Sequence, residues 1–516
     1  MTGGLLLLAG HPPLALWWTG FLALVPLVAL GRDLAGGPRR RGAAFGWGFL
    51  AGTVLFMPLI HWLVPFGFAA FGLLSLIQAA YVGLFVVVLS LYGERRGRAL
   101  VAVAAWVGLE ALRGTVPLDG FTWGGLAYTQ ADGGLALGVA RTFGSAGVSA
   151  ILAAVAVAAE EAIRSASRSL GTAQEAEIPA DAVFRAMQVP LLTVLGVMVL
   201  AVLASGQVPE ANGRTASIGI VQGGDTRGTS AAGVNRVDTG RIERVVDLML
   251  AATEPFADDT PDVVIWPENA LDGDVRLPEW QQIASRLDEA LQLVAPSPIL
   301  GGDTEFGTTP QTRFNNMTVF TTDGIGPSYT KRVPVPFGEY VPARSWLDWF
   351  PPLEQIPSDV LPGTGPQVLD VGGARIGGVI CFENTYGNLV RDQVRSGADV
   401  LVVSTNNSSF GDTAMSAQHL AFSQLRAVET GRWVVHAGLS GISAFITPEG
   451  EVVQRTELFQ PAAVQMDVPL IEGLTPAMRI GDAVAWLATG LLLLALVVVV
   501  LDRRRPGPPP PAAEND

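Results

Sequence analysis

The hydrophobic positions of the chain form long apolar runs near both ends and short runs in the middle. About 18 apolar residues in a row are enough to cross the roughly 30 Å hydrocarbon core of a bilayer as a helix. We predict spans at residues 14–30, 43–63, 66–92, 100–112, 135–159, 189–205 and 484–501. The stretch 3–10 is too short to span alone, so we expect a re-entrant or partial first helix there. The pattern predicts an α-helical transmembrane bundle of about seven or eight helices.

The middle of the chain is more polar and contains short β-rich runs. These runs are "SIGIVQ", "DVVIWP", "PILGG", "MTVFTT", "IGGVI", "DVLVVS", "WVVHAG" and "SAFITP". Helical stretches lie between several of them, at 241–253, 278–294, 386–397 and 415–431. Strands that alternate with helices predict an α/β domain, and this segment is long enough for a core of its own.

The two patterns divide the chain into four parts. They are an N-terminal transmembrane bundle at 1–206, an α/β domain at 207–482, a C-terminal transmembrane helix at 483–502 and a basic, then Pro-rich tail at 503–516. Arginine-rich short loops stay in the cytoplasm. Arginine clusters near residues 39–41, 95–98, 164–185 and 503–505 all mark one side if the spans between them form hairpins. The α/β domain is then predicted to be extracytoplasmic, and the tail cytoplasmic.

The composition supports a membrane protein and excludes several other classes. Hydrophobic residues make up 49% of the chain, charged residues make up 16%, and the mean hydropathy is +0.38. The net charge of −14 argues against a nucleic-acid partner, because phosphate binding needs a basic surface. The four histidines show no metal-ligand spacing, so we predict no metal site. A single cysteine excludes an internal disulfide, which leaves its thiol a structural or a chemical role.

That cysteine, Cys381, ends the apolar strand "RIGGVI" and precedes a turn that enters a helix. The partial positive charge of a helix N-terminus favours the thiolate, which is the nucleophilic form. A buried structural cysteine would fit the same stretch equally well. The choice depends on the partners that the fold brings to the thiol.

Three polar residues are candidate partners. Glu268 in "VVIWPENAL" ends an apolar strand and could reach out of the sheet, although a solvated glutamate that caps the next helix would also fit. Glu339 lies in the stiff loop "PVPFGEYVP", where an ordinary exposed acid is the alternative. Lys331 begins that loop and is the only lysine beside 32 arginines, which favours a specific role over a solvated side chain. The alternative bases, His419 and His436, have no orienting carboxylate at close spacing.

Two charged residues, Glu110 and Arg113, lie inside a predicted span. At positions i and i+3 they share one helix face and could pair, which lessens the cost of removing each charge from water. They are either an ion pair at a helix end or groups beside a lipid or substrate access route. The loop that follows, "LDGFTWGGLAYTQADG", is rich in Gly and aromatic residues and is predicted to form the floor of a site at the membrane surface.

Taken together, Glu268, Lys331 and Cys381 resemble the Glu, Lys, Cys triad of the nitrilase superfamily. The resemblance is closer to its membrane-embedded branch, the apolipoprotein N-acyltransferases. The matching motifs are "WPENA", a lysine eight residues before the glutamate of "VPFGEYVP", "ICFEN", "TNNSSFGD", "LRAVETGR" and "GLTPAMR". In the membrane part "LEALRG" and "DGFTWGGLAYTQ" also fit, so the resemblance covers essentially the whole chain.

This resemblance implies an αββα nitrilase-like sandwich on the outer side of a bacterial cytoplasmic membrane, above about eight helices. It implies the last step of lipoprotein maturation, in which an acyl chain moves from a phospholipid to the α-amine of an apolipoprotein's N-terminal S-diacylglyceryl-cysteine. Glu268 would be the general base and Cys381 the nucleophile that carries the acyl chain as a thioester. Lys331 and a backbone N–H near residue 382 would stabilise the oxyanion. We expect no cofactor and a monomer.

Three further residues match supporting positions of that family. Glu339 and Glu383 would position Lys331 and Cys381 or hold the incoming amine. Asn406, in the loop after "DVLVVS", would line the mouth of the active site.

Two residues depart from the family pattern. Phe382 stands where a tyrosine often follows the cysteine, and Ser409 stands where a lid tryptophan is common, which leaves Phe410 as the aromatic residue. The departures affect the expected acyl-chain contacts and lid closure more than the triad.

Two other functions remain open from the sequence. A membrane-tethered amidase of the nitrilase type would use the same triad with water as the acceptor. The several spans and the pair Glu110 and Arg113 favour a lipid substrate instead, because an anchor needs only one helix. A non-catalytic scaffold or transporter would retain its function after Cys381→Ser or Lys331→Arg, whereas a transferase would lose it.

Overall fold

The computed structural model describes residues 1–171, 208–226, 239–309, 311–347 and 358–504, together with residues 196, 199, 203 and 356. The predicted span 189–205 lies outside the described residues except at three positions, and the tail lies outside them from residue 505. The described chain forms a set of N-terminal helices, two β-sheets with helices on their outer faces, and one long C-terminal helix.

The N-terminal part consists of helices that pack on one another through apolar side chains. They are α1 (Thr2–Gly10), α2 (Thr19–Leu22), α3 (Val25–Asp33), α4 (Pro38–Leu59), α5 (Phe68–Tyr92), α6 (Arg98–Arg113) and α7 (Ala140–Gly171). Within the described residues, four helices are long and apolar enough to cross a membrane: α4, α5, α7 and the C-terminal helix. The described residues therefore contain four such helices instead of the predicted seven or eight, and the other helices among them are shorter.

The predicted span at 14–30 is wrong. This stretch is not one helix but contains the short helix α2 and most of α3, separated by turns. Proline lacks the amide hydrogen that continues a helix, and Pro12, Pro13 and Pro26 fall where the short helices end or begin. The short helix at 2–10 agrees with the predicted partial first helix, and the 16 residues of α6 cover the predicted span at 100–112.

The middle of the chain contains two sheets. Their strands are β1 (Ala211–Gly223), β2 (Val263–Leu271), β3 (Ile299–Phe306), β4 (Thr312–Thr321), β5 (Gly324–Thr330), β6 (Asp359–Val360), β7 (Val368–Val371), β8 (Ala374–Ile380), β9 (Val400–Thr405), β10 (Val434–Gly438), β11 (Ala444–Ile446), β12 (Val452–Arg455) and β13 (Pro461–Ile471). The first sheet has the order β13-β1-β2-β3-β4-β5, with β6 paired to β4. The second has the order β12-β11-β10-β9-β8-β7. In each sheet the central strands, β1-β2-β3 and β8-β9-β10, run parallel.

The helices of this part cover the outer faces of the sheets. They are α8 (Thr239–Thr253), α9 (Gln281–Leu293), α10 (Arg344–Leu347), α11 (Gly387–Arg395), α12 (Met415–Thr430) and α13 (Pro476–Ile480), followed by the C-terminal helix α14 (Ala483–Arg504). Side chains of β1, β2, β8 and β9 meet between the sheets in one apolar core. The helices α8 and α9 pack on the first sheet, and α11 and α12 pack on the second. This is the predicted αββα sandwich beside a helical bundle.

Helix α12 joins the sandwich to the bundle. Every residue in it except Ala417 is buried, because one face packs on the second sheet and the other packs on the N-terminal helices. Gln418 accepts hydrogen bonds from the indole N–H groups of Trp62 (3.1 Å) and Trp123 (2.6 Å). Its amide nitrogen donates to the carbonyl oxygen atoms of Pro12 and Leu59. The site at the ends of β8 and β9 therefore lies directly above the bundle.

Candidate active site

Cys381 occupies a sharp turn at the end of β8. Its φ of +52° lies in the left-handed region, which is unfavourable for a residue with a side chain. The residue begins a five-residue 3₁₀ helix, Cys381–Thr385, and its thiol is partly buried. The Thr405 hydroxyl, at the end of the neighbouring strand β9, lies 3.4 Å from Sγ. The predicted junction between strand and helix is confirmed, and Cys381 packs against the apolar core between the two sheets.

Glu268 lies in an irregular end of β2. The pairing of β2 with β3 shifts between Trp266 and Leu271, which releases the residues between them from the ladder, and Asn269 takes a φ of +59°. Glu268 is only 4% exposed, so it is not a solvated cap. Oε1 accepts a hydrogen bond from Asn315 Nδ2 at 2.9 Å, and Oε2 accepts one from the Asn406 backbone N–H at 2.8 Å.

Lys331 is almost fully buried, with 1% of its surface exposed, and its ammonium group lies between two carboxylates. Nζ is 2.8 Å from Glu339 Oε1 and 3.4 Å from Glu268 Oε1. The other oxygen of Glu339 accepts a hydrogen bond from the Val335 backbone N–H at 2.7 Å, which fixes the loop between the lysine and the glutamate. The structure therefore excludes the alternatives of a solvated lysine and an ordinary exposed acid.

The carboxylates around the thiol raise the pKa values of both Lys331 and Cys381. Burial alone would lower the pKa of Lys331, but the carboxylates of Glu339 and Glu268 outweigh it and raise the pKa. Burial also raises the pKa of the Cys381 thiol, and the Glu268 carboxylate adds to this against the opposing effect of Lys331. The expectation that a helix terminus favours the thiolate is therefore wrong, because a five-residue 3₁₀ helix does not offset burial beside carboxylates. The resting site contains an ammonium group and a neutral thiol, so a base must remove the thiol proton.

Glu383 ties the lysine loop to the cysteine turn. Oε1 accepts hydrogen bonds from the backbone N–H groups of Arg332 (2.6 Å) and Val333 (3.1 Å). Oε2 accepts from the Ile380 backbone N–H (2.8 Å) and from the Tyr329 hydroxyl (2.9 Å). Burial of this carboxyl group, which has no exposed surface, raises its pKa. Glu383 thus holds together the segments on either side of the reactive groups.

The loop after β9 brings Asn406 to the base. Besides the bond from its N–H to Glu268, its side-chain nitrogen lies 3.3 Å from Asn269 Oδ1. Its Oδ1 accepts hydrogen bonds from the backbone N–H and the hydroxyl of Ser408. The backbone of Asn406 therefore helps to orient the Glu268 carboxylate.

Aromatic side chains from both halves of the chain surround this loop. The ring of Phe410 packs edge-on against Trp62, with 5.1 Å between centroids, and lies 5.4 Å from the ring of Phe66. Both partners belong to the turn between α4 and α5. The membrane part therefore supplies aromatic surface next to Ser409, where the sequence has no tryptophan.

The neighbour of the cysteine, Phe382, packs on the predicted floor loop. Its ring is stacked on Trp123 (6.1 Å, 6° between planes) and Phe121 (5.8 Å, 21°), and it meets Tyr386 edge-on at 5.6 Å. The loop between α6 and α7 thus adjoins the reactive turn, as predicted.

Glu110 and Arg113 do not form the predicted ion pair among the described residues. Arg113 Nη1 donates instead to the carbonyl oxygen atoms of Trp123 (2.6 Å) and Phe121 (2.9 Å), and Glu110 Oε1 accepts from the Leu126 backbone N–H (2.7 Å). The polar backbone of the floor loop is nearer to each charge than the charges are to each other. Both side chains line a small cavity with apolar neighbours from α4, α5 and α6. Their position supports the floor loop rather than a helix end in water.

Two groups at the site, Asn315 and Thr405, escaped the sequence reasoning, and a third, His419, was considered there only as an alternative base. Asn315, in β4, reaches Glu268 and also lies 3.3 Å from Glu339 Oε1. Thr405 contacts the thiol, and His419 Nε2 lies 3.0 Å from the Cys381 carbonyl oxygen. Thr405 and Asn315 belong to strands of the two sheets, and only the pairing of strands shows that their ends meet. Among the described residues, no group of three or more His, Cys, Asp or Glu side chains could hold a metal ion.

A second buried ionic cluster is centred on the motif "LRAVETGR", near the C-terminal end of α12. The fully buried carboxylate of Glu429 contacts two guanidinium groups, those of Arg426 and Arg391 (2.7 Å). Arg426 also donates to the Tyr128 hydroxyl (2.7 Å), and Arg391 pairs with Asp482 (2.5 Å). Burial alone would raise the pKa of Glu429, but the two arginines outweigh it and lower the pKa. The cluster connects α11, α12, the floor loop and the start of α14.

Comparisons with known proteins agree with this two-part arrangement. Residues 3–158 match the family described as apolipoprotein N-acyltransferase N-terminal domain, and residues 226–472 match the carbon-nitrogen hydrolase family. The chain is 32% identical to an apolipoprotein N-acyltransferase of Mycolicibacterium smegmatis, over 93% of this chain and 81% of the relative. It is 29% identical to one of Geobacter metallireducens, over 92% and 89% of the two chains. Among solved structures, an amidase of the nitrilase superfamily from Nesterenkonia is similar with a TM-score of 0.36 and 17% identity, over 54% of this chain and 97% of that one.

Proposed function

We propose, since the chain belongs to the apolipoprotein N-acyltransferase family, that it transfers an acyl chain from a phospholipid to the N-terminal α-amine of an apolipoprotein. The observation that supports this best is the single cysteine held in a strained turn beside a buried Lys331 that contacts Glu268 and Glu339. Such a constellation combines a nucleophile, a base and a cation for a developing oxyanion.

In the first half-reaction Glu268 takes the thiol proton of Cys381, and the thiolate attacks the ester carbonyl carbon of the phospholipid. The negative charge that develops on the carbonyl oxygen is stabilised by the Lys331 ammonium and by a backbone N–H near residue 382. When the intermediate collapses, the ester C–O bond breaks, and the lysophospholipid leaves with the proton that Glu268 returns. The acyl chain remains on Sγ as a thioester.

In the second half-reaction the α-amine of the lipoprotein attacks the thioester carbon. Glu268 accepts a proton from the amine as the C–N bond forms and passes it to the sulfur as the C–S bond breaks, which restores the thiol and the carboxylate. A covalent intermediate between two substrates gives ping-pong kinetics. Glu339 and Glu383 position Lys331 and Cys381, because their carboxylates are occupied by the bonds to the lysine, its loop and the cysteine turn.

The membrane part would bring both lipid substrates to the thiol. Phe382 rests on the floor loop, and Phe410 rests on the turn after α4, so the surface beside Cys381 is aromatic and continuous with the bundle. We place the α/β domain, residues 207–482, on the extracytoplasmic side of a bacterial cytoplasmic membrane, between the bundle and the C-terminal span. We propose that the protein acts as a monomer.

Labelled phospholipid tests the proposal. We expect a labelled thioester on Cys381 that is released by hydroxylamine and that passes to the amine of an added diacylglyceryl lipopeptide. Peptide mass spectrometry maps the label to one residue, because the chain has a single cysteine and no other thiol can carry it. Release of free fatty acid or ammonia, with no label on the lipopeptide, would show hydrolysis of the amidase type and overturn the transferase.

A further inference from the structure

A chain of buried polar side chains, Thr405, His419 and Asn407, begins at the thiol. Thr405 has no exposed surface, and its Oγ1 lies 3.4 Å from Cys381 Sγ, 3.4 Å from His419 Nδ1 and 3.0 Å from Asn407 Oδ1. A hydroxyl has one proton to donate and two lone pairs that can accept. Thr405 therefore cannot donate a hydrogen bond to all three neighbouring atoms at once, and its proton points to one of them at a time.

The protonation of His419 limits the choice. Its Nε2 lies 3.0 Å from the carbonyl oxygen of Cys381, which only accepts, so Nε2 carries the ring proton. Burial lowers the pKa of His419 to about 4, so the ring is neutral at ordinary pH and Nδ1 is a bare acceptor. His419 can thus hold the cysteine turn with one nitrogen and receive the Thr405 proton with the other.

Asn407 need not compete for that proton. Its side-chain nitrogen is buried and has no hydrogen-bond partner among the described residues, while its oxygen faces Thr405. A half-turn of the amide group would point the nitrogen at Thr405 Oγ1, where it would donate. The Thr405 proton is then shared only between His419 Nδ1 and Cys381 Sγ.

We propose that Thr405 is a catalytic hydroxyl that follows the protonation state of Cys381, and that His419 is the positioning residue that receives the hydroxyl proton in the resting state. While the thiol is protonated, Thr405 donates to His419. When Glu268 removes the thiol proton, Thr405 rotates about its Cβ–Oγ bond and donates to the thiolate. The Thr405 proton stays on Oγ1 throughout and is not transferred to His419 or to Sγ. The relevance of this relay to acyl transfer rests on the proposed function.

The charged groups that act on the thiol explain why such a donor matters. Glu268 and Glu339 disfavour the thiolate, and Lys331 favours it. His419 is neutral and does not stabilise the thiolate by charge. The Thr405 hydroxyl can stabilise the thiolate by a hydrogen bond, without adding a charge to the site. A hydrogen bond to a charged group contributes enough to move a pKa by about one unit. Loss of the hydroxyl should therefore make the thiolate about tenfold scarcer at a given pH.

Alkylation of the full-length protein in detergent tests the relay, since iodoacetamide reacts with the thiolate of the only cysteine. We expect Thr405→Val, which keeps the shape and removes the hydroxyl, to be alkylated about tenfold more slowly at fixed pH. Its rate–pH profile should lie about one unit higher. Thr405→Ser should retain a profile close to that of the unchanged protein. Thr260→Val removes a half-buried hydroxyl that donates to the Phe256 carbonyl oxygen, away from the site, and should have no effect.

The direction of the change separates a relay from a packing role. A merely loosened site would expose the thiol and speed alkylation, so an unchanged or faster rate in Thr405→Val would overturn the proposal. All variants should react equally after denaturation, which controls for the reagent. If Thr405→Val does not fold, Thr405→Ala must show the same slowing, and an unchanged rate there would overturn the proposal equally. The assay contains no lipid, so a failure of the transferase assay leaves this outcome unaffected.

Discussion

Two buried ionic clusters in this molecule have mirror-image compositions. The lysine cluster places one ammonium, Lys331, between the carboxylates of Glu268 and Glu339. The arginine cluster places one carboxylate, Glu429, between the guanidinium groups of Arg426 and Arg391. Both remove three charges from water, which is costly unless the partners are well placed.

The difference lies in what each cluster does with its excess charge. The lysine cluster has an excess negative charge next to Cys381 and keeps the thiol protonated until it reacts. Its single ammonium is compact and can stabilise a further negative charge when one develops on the substrate. The arginine cluster has an excess positive charge, which Asp482 offsets, and its planar groups bond the segments that meet around α12. One cluster is arranged for a change of charge, and the other is arranged to prevent movement.

The largest expected effect is on chemistry beside the lysine cluster. Cys381→Ser should lower the rate of acyl transfer by about 10³-fold or more, because the serine hydroxyl is a far weaker nucleophile for this base. Transfer from labelled phospholipid to lipopeptide measures it. The midpoint of thermal unfolding should be unchanged, since both clusters keep their charges. Retained transfer would favour the scaffold interpretation.

The arginine cluster should respond in stability instead. Glu429→Gln leaves two buried guanidinium groups without their carboxylate and should lower the free energy of unfolding by about 3–5 kcal/mol. The exposed carboxylate of Glu289 is a matched control, and Glu289→Gln should cost less than about 0.5 kcal/mol. Unfolding in detergent, followed by circular dichroism, measures both.

The pH dependence of that loss has a definite sign. The pKa of Glu429 is lower in the folded chain than in the unfolded one, so the folded state holds fewer protons. The stabilisation is fully present above the ordinary glutamate pKa of about 4.3 and is lost as the pH falls through the lower folded value. The difference in stability between the unchanged protein and Glu429→Gln should therefore shrink below about pH 4. A constant difference would show that charge is not the cause.

Exchanging the cation type sharpens the comparison. Lys331→Arg should lower kcat/KM by about 10²–10³-fold, because a planar guanidinium cannot replace a compact ammonium between two carboxylates and an oxyanion. The converse exchange, Arg391→Lys, should lower the thermal midpoint and change kcat/KM by less than about threefold. Equal effects of the two exchanges on activity would contradict the division of roles.

The smallest effect is expected where neither cluster is touched. Phe382→Tyr restores the hydroxyl that is common after the cysteine in this family, but the ring is already held by Phe121 and Trp123. We expect kcat/KM to change by less than about threefold, which corresponds to roughly 0.6 kcal/mol. Steady-state kinetics with a lipopeptide acceptor measure it. A tenfold change would give that hydroxyl a chemical role.

Much of the sandwich could be predicted because its buried strands are apolar runs bounded by turns. All eight runs recognised in the sequence are strands, and the four helical stretches correspond to α8, α9, α11 and α12. The strands β5, β6, β7, β12 and β13 were not predicted, because much of each is exposed or half-buried and their sequences show no long continuous apolar run. Hydrophobic periodicity does not distinguish such edge strands from loops.

The candidate triad was predictable since each member has a local signal: a strand end for Glu268, a unique lysine for Lys331 and a unique cysteine for Cys381. Thr405 and Asn315 have no such signal, because their importance comes from pairing between strands that are far apart in sequence. The Glu110 and Arg113 prediction failed for a related reason. Helical spacing shows which side chains share a face, but it does not show that loop carbonyl groups compete for the same charge.

The break in α7 has a consequence for how this protein could have been assembled in evolution. Gly144 interrupts the helix with a φ of +65°, and a Cβ atom there would lie 3.1 Å from the Glu429 carboxylate. A side chain at that point in the helical bundle would therefore be strained and would crowd a buried charge of the α/β domain. The two halves match separate families, yet they are not interchangeable modules. A chimera that joins the bundle of one relative to the sandwich of another should express well only when both parents have a glycine at this helix break.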